Sequence, residues 1–197
     1  MKGLFVTLEG PEGGGKSTLL HALASKIPGC VTTREPGAGT IGGQIRKLVL
    51  ESDGLVPRAE LFLFLADRAQ HVAKVIEPAL AEGRVVLCDR HADSTVVYQG
   101  YARGGDIEQL RQLNRIATDG RTPDLTFLLD VPPTLGLRRQ EGIDRLGGMP
   151  LQFHERVREG FLAEARREPE RWVILDAEEP AELVAQQAWK VLQSRRV

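Results

Sequence analysis

Residues 4–18 read LFVTLEGPEGGGKST, an apolar run that breaks into a glycine-rich turn and reopens as a helix-forming stretch. Within it, GPEGGGKS puts Gly10, Gly15, Lys16 and Ser17 at the fixed positions of G-x-x-x-x-G-K-[ST]. A strand before and a helix after are the context in which that spacing makes a phosphate-binding loop. The glycines let successive backbone N–H groups turn inward as an anion nest, and the helix N-terminus adds partial positive charge. Lys16 reaches the outer phosphates as a point charge, and Ser17 offers a hydroxyl to Mg²⁺. Gly10, Pro11, Glu12, Gly13, Gly14, Gly15, Lys16, Ser17 and Thr18 are therefore the expected cradle of a nucleotide's phosphates. Glu12 is out of character, because a carboxylate opposes the loop's attraction for anions. Either it serves a second ligand or it faces solvent.

Outward from the loop, short apolar runs alternate with helical patterns. Strands are expected over 4–9, 31–33, 85–89, 125–130 and 173–176, and helices over 16–25, 41–50, 58–75, 107–117, 151–165 and 181–192. Several runs are continuously apolar, as in a parallel sheet covered on both faces. Pro78 is expected to end or kink the third helix, and Pro180 suits the first turn of the last. This alternation makes a single doubly wound, five-stranded parallel α/β domain over 1–197. The charged, glycine-containing stretch RRQEGIDRLGGMP, 138–150, reads as a short lid. Gly37, Gly39 and Gly42 spell a G-x-G-x-x-G, but the first strand–helix junction, where a dinucleotide fingerprint belongs, is already taken by the phosphate loop.

The composition narrows the class. Of 197 residues, 26 are Lys or Arg against 27 Asp or Glu, a net charge of −1 without the basic surplus of a nucleic-acid binder. No apolar run reaches the roughly 18–20 residues of a membrane span, and the N-terminal apolar stretch is too short for a signal peptide. Cys30 and Cys88 lie in apolar segments as expected free thiols, which points to a reducing cytoplasm. Only six of the 26 basic residues are lysines, leaving twenty arginines as candidates for gripping phosphate.

No guanine-reading N-K-x-D occurs, which argues against a switch GTPase. The combination EGPEGGGKST, TREPG, IRKLVL, LFLFLADR, CDRHADSTVVYQGYARG and PDLTFLLDV resembles bacterial thymidylate kinases over nearly the whole chain. The resemblance implies a P-loop kinase fold, a homodimer, Mg²⁺, and transfer of the ATP γ-phosphoryl group to dTMP. Chemistry fits this. The acceptor is a phosphate whose second pKa is about 6, so it needs no protein base. The demand is to bring two polyanions in line and stabilise a loose transition state.

By the same resemblance, Arg90 and Arg34 lie at the acceptor phosphate with Arg46 as a further candidate, although each alone also reads as a solvated charge. Asp89 closes the apolar run VVLCD, where Mg²⁺, arginine partners or a capping role would relieve a buried carboxylate. Glu12 is implied at the acceptor's 3′-hydroxyl side. Phe64 and Arg68, four residues apart on one helical face, are implied to stack on thymine and to donate to its carbonyl oxygen; Phe64 alone reads equally as core. Tyr98 is implied to pack where a ribose 2′-hydroxyl would clash, with Gln99 and Ser94 or Thr95 at the base. In the lid, Arg145 is implied over the transferred phosphoryl group and Arg138 or Arg139 at the adenine, with Asp176 and Ala177 near it through the backbone. The four histidines, His21, His71, His91 and His154, show no metal-ligand spacing with each other or with the cysteines and are expected at helix surfaces or core edges. The alternatives are another nucleoside monophosphate kinase, acting on UMP, GMP or a modified pyrimidine, or a non-catalytic nucleotide-binding module.

Overall fold

The apolar runs pair into one sheet in a computed structural model that describes residues 3–52, 54–139 and 148–195. Its strands are β1 (Leu4–Glu9), β2 (Val31–Arg34), β3 (Val85–Asp89), β4 (Leu125–Asp130) and β5 (Trp172–Asp176). All pairings are parallel, in the order β2-β3-β1-β4-β5. The helices are α1 (Lys16–Ala24), α2 (Gly39–Glu51), α3 (Pro57–His71), α4 (Glu77–Ala81), α5 (Ala92–Thr95), α6 (Ile107–Ala117), α7 (Pro133–Arg139), α8 (Leu151–Arg167) and α9 (Ala181–Arg195). Two π-helical turns, Val72–Ile76 and Val96–Ala102, follow α3 and α5 without a break.

Side chains alternate along β1, so one sheet face takes Val6 and Leu8 and the other Phe5, Thr7 and Glu9. On the first face, Val6, Leu8, Phe127 and Leu129 pack against Leu19 and Leu23 of α1 and Ala188 and Leu192 of α9. On the opposite face, Leu128 and Trp172 meet Val97 and Tyr98 of the second π turn and Phe153, Val157 and Phe161 of α8. Phe5, Val86 and Cys88 meet Val72, Ile76 and Ala79. Truncating a sealed ring such as Phe127 or Phe161 costs about 3–5 kcal/mol.

This topology fixes where ligands go. β1 hands the chain to α1 on one face, whereas its neighbour β3 hands it to α5 and the π turn on the other. A crevice opens at the carboxyl ends of such a strand pair. Register levels Leu8, Arg34 and Asp89 at that edge, so the ends of β1, β2 and β3 meet there.

One local expectation changes, and two elements are added that the sequence reading left unassigned. Pro78 does not end the third helix at 75; the chain passes through the π turn into α4, whose first turn has no use for the amide hydrogen that proline lacks. Residues 92–102, rich in β-branched and aromatic side chains, form α5 and its π turn because packing on α8 and the sheet outweighs weak helix propensity. The unanticipated α7 begins at Pro133, where a fixed φ suits a first helical position.

Candidate active site

The loop between β1 and α1 uses its glycines for backbone shape. Gly10, Gly13 and Gly15 have φ of 141°, 68° and 85°. A Cβ on Gly13 would stand 1.9 Å from the Gly136 carbonyl oxygen, so loop and α7 touch backbone to backbone. Lys16 Nζ donates to the carbonyls of Gly10 (2.9 Å) and Pro11 (2.6 Å). Burial, then the Arg90 charge, lowers its pKa to about 8 against the pull of Asp89, Glu12 and Glu9. Ser17 Oγ donates to Asp89 Oδ2 at 2.9 Å, pairing two hard oxygens at the loop's mouth.

Arg90 follows β3 with φ 66°, a conformation costing of order 1–3 kcal/mol for a non-glycine residue. Its guanidinium holds the position by donating to Gly10 O (3.1 Å), Ser94 Oγ (3.3 Å) and Glu12 Oε1 (3.3 Å). Burial disfavours its charge, yet Tyr98, Glu12, Asp89 and Glu9 carry its pKa upward. Glu12 is buried as well. Burial alone would raise its pKa, but His154, Arg90, Lys16 and Tyr98 together drive it far below the usual carboxylate range. Tyr98 donates its hydroxyl to Glu12 Oε1 at 2.5 Å.

Two cavities flank this centre. The first, about 330 Å³, lies between the loop, α2, α3 and the α5–π segment. Every residue expected at an acceptor lines it: Glu12, Arg90, Arg34 and Arg46 at the loop side, Phe64 and Arg68 from α3, and Ser94, Tyr98 and Gln99 from the α5–π segment. Arg46 Nη1 donates to Pro36 O at 2.9 Å, and Phe64 is half-buried in the wall rather than in the core. Arg68 is sealed by neighbours: it donates to Glu35 Oε2 (2.8 Å), Thr95 Oγ1 (3.0 Å), Asn114 Oδ1 (2.6 Å) and His91 O (3.1 Å). Those bonds use four of the five guanidinium N–H groups and leave one on Nη2.

The second cavity, about 640 Å³, runs from Gly13–Leu19 to Ala177–Ala181 and Val184. Arg139 lines it and donates from Nη1 to Ala177 O at 2.6 Å. Arg138 is exposed, does not line it, and instead donates to Thr134 O at 3.0 Å. Asp176 is turned toward the Glu178 N–H at 2.9 Å, while Ala177 lines the cavity. Arg145 and the lid residues 140–147 lie outside the described residues. Gly13, Lys16 and Ser17 belong to both cavities, so the two spaces meet at the phosphate loop.

Several polar residues here went unread in the sequence. Glu9, sealed at the end of β1, accepts from the His91 N–H (2.7 Å) and Ser94 Oγ (2.6 Å), and burial followed by the Asp93 charge raises its pKa to about 7. It carries the same signal as Asp89, an acid closing an apolar strand. Glu35 anchors Arg68 and takes His71 Nδ1 (2.8 Å) and His91 Nδ1 (2.7 Å) on one oxygen. Burial raises its pKa, but Arg68 and the histidines carry it well below the ordinary value. As the ionised carboxylate only accepts, both imidazoles carry their proton on Nδ1. Folding thus corrects the expectation for the histidines: His71, Cys88 and His91 bring one ligand atom each within 4.8 Å, and with His154 three of the four histidines are buried. His71 Nε2 lies 2.8 Å from Thr33 Oγ1, and the Cys88 thiol donates to Arg90 O at 3.1 Å with its pKa pushed up, first by burial.

Comparison with known proteins adds the remaining facts. A sequence model described as thymidylate kinase matches residues 8–188. The thymidylate kinase of Desulfosudis oleivorans is 52% identical over 198 residues, covering 92% of each chain. That of Thermomicrobium roseum is 47% identical over 193 residues, covering 94% of this chain and 92% of the other. The crystal structure of thymidylate kinase from Ehrlichia chaffeensis superposes with a TM-score of 0.83 at 34% identity, covering 98% of this chain and 100% of that one.

Proposed function

Because the chain belongs to the thymidylate kinase family and transfers the γ-phosphoryl group of ATP to dTMP, giving dTDP and ADP, we propose that dTMP occupies the 330 Å³ cavity and ATP the 640 Å³ one. The observation that carries this reading is the sharing of Gly13, Lys16 and Ser17 by both spaces: among the described residues, a donor phosphate in one and an acceptor phosphate in the other meet where these three residues line both.

In this reading the acceptor phosphate attacks already ionised, and the protein supplies alignment and charge. Arg90, Arg34 and Arg46 grip the acceptor phosphate, with Arg90 held in place by Gly10 and Glu12. Lys16 bridges toward the transferred group, and Arg145 supplies charge over it. Phe64 stacks on the thymine ring, and the remaining Nη2 hydrogen of Arg68 suits a ring carbonyl oxygen while opposing the amino group of cytosine. Glu12 and Tyr98 form the sugar side, Ser94 and Gln99 the far base edge, and Arg139 with the Ala177 backbone the adenine end. Arg138 has only its place in the sequence to support it.

Ser17 Oγ and Asp89 Oδ2 fit a Mg²⁺ site, since both are hard oxygens in hydrogen-bond contact, Ser17 lining both cavities and Asp89 the first. Ser17 and Asp89 would hold the ion there, and it would supply charge neutralisation to the nucleotide phosphates. A homodimer suits the half-exposed apolar side chains Ile41 and Leu48 on α2 and Phe62 on α3. A cytoplasmic setting suits the two free cysteines. Among the described residues no helix is long and apolar enough to cross a membrane.

The test is coupled ADP release with dTMP, dUMP, UMP, dGMP and AMP as acceptors. The expected order places dTMP first and the purines last; a purine preference would sink the cavity assignment. Lys16→Ala should lower kcat by at least about a hundredfold, and near-normal turnover would remove Lys16 from the centre.

A further inference from the structure

His154 is the fourth residue of α8, and its side chain is 1% exposed. Its ring stands edge-on to Phe153, with centroids 5.5 Å apart and planes at 89°, and Phe153 in turn packs on the Tyr98 ring. Nδ1 lies 3.4 Å from Glu12 Oε2. Among the described residues, neither ring nitrogen of His154 has a hydrogen-bond partner, and neither does Glu12 Oε2. The other carboxylate oxygen is fully engaged, by Tyr98 at 2.5 Å and Arg90 at 3.3 Å.

We propose that His154 is a positioning residue for Glu12, gripping Oε2 from α8 so that the carboxylate plane presents its edge to the acceptor's sugar. The terminal torsion of a glutamate is broad and roughly two-fold, so an anchor on one oxygen leaves the plane free to turn. Anchors on both oxygens fix it. A histidine that served only as packing would leave two buried nitrogens and a buried carboxylate oxygen unsatisfied, a cost that phenylalanine in the same space avoids. Hydrogen bonds in active sites without substrate are commonly long and tighten when the site fills; here a few tenths of an ångström brings Nδ1–H and Oε2 together. The inference deepens the reading of Glu12 at the sugar side and depends on it.

The experiment compares His154→Phe, His154→Gln, His154→Asn, Glu12→Gln and the His154→Phe/Glu12→Gln pair, with thermal melts to confirm folding. An asparagine amide reaches the place of Nδ1, and a glutamine amide that of Nε2. Phe and Gln should each raise the KM for dTMP about tenfold with the KM for ATP within about twofold, and Asn should restore most of the loss. On the Glu12→Gln background, His154→Phe should add little, because the two act as one unit. An unchanged dTMP KM in His154→Phe and His154→Gln would overturn the proposal while a defect in Glu12→Gln left the sugar-side reading intact. Equal defects in Asn, Phe and Gln, or additive defects in the pair, would overturn it too. A normal dTMP KM in Glu12→Gln would remove the sugar-side reading and the proposal together.

Discussion

Lys16 combines burial, a nearby guanidinium and three nearby carboxylates, and the balance leaves its pKa at about 8. ATP brings phosphate charge to that ammonium and must raise the value. At pH 8.5 the free protein therefore holds Lys16 mostly neutral and the complex holds it charged, so ATP binding takes up a proton. Calorimetry in buffers of different ionisation enthalpy should read that uptake at pH 8.5 and find it fading toward pH 7; equal release or uptake at both would contradict the charge balance. The same scale shows how unevenly the sequence discloses a site. Glu12 announces itself because it stands where a carboxylate is anomalous, and Asp89 because it ends an apolar strand. Glu9 ends one too, but the glycines beside it draw the reading away. His154 could not be read at all, since its partner is 142 positions distant and only the packing of α8 on the sheet brings Nδ1 to Glu12.

Among the elements, the phosphate loop and α7 touch backbone to backbone, with no room for a side chain on Gly13 or Gly136. A Cβ on Gly136 would meet the Glu12 carbonyl oxygen at 2.3 Å, just as one on Gly13 would meet Gly136. Gly136→Ala should therefore push the loop outward, costing about 1–3 kcal/mol of stability and raising the KM for ATP; a melt and a KM within error of the parent would show that the contact yields. This explains why the strands and α1 were legible and α7 was not. Strands announce themselves by apolar runs, and α1 by the motif that opens it. Residue 136 is glycine for close approach rather than for propensity, and that signal points away from a helix. The π turn Val96–Ala102 escaped for a related reason: its β-branched and aromatic residues have weak helix propensity, and packing against α8 and the sheet holds them in that winding.

At the scale of the whole molecule, the sheet brings acids and bases from the ends of β1, β2 and β3 to one edge, and their titration enters the stability of the fold. Glu9 has a folded pKa of about 7 against an ordinary value of 4.5, so its favourable contribution is complete below about 4.5 and is lost as pH rises through 7. Glu12 and Glu35 are shifted the other way and titrate below that window. Glu9→Gln should consequently gain in Tm relative to the parent between pH 5 and 8, then level off; a difference in Tm that is flat across that range would refute the burial argument. The doubly wound parallel sheet was readable from alternation, and Arg34, Arg46 and Arg90 became acceptor candidates only through the family resemblance of their motifs, whereas the Glu35–Arg68–His71–His91 cluster arises only where three chain segments converge. Cys88 lies at the back of that cluster with no exposed surface, while Cys30 is half-buried. Any reagent that modifies Cys88 must wait for the acceptor half of the protein to open. The thiol is thus a built-in clock: Cys30 marks the start of labelling, the lag before Cys88 reacts measures how often that half breathes, and a bound acceptor slows the clock in proportion to its occupancy.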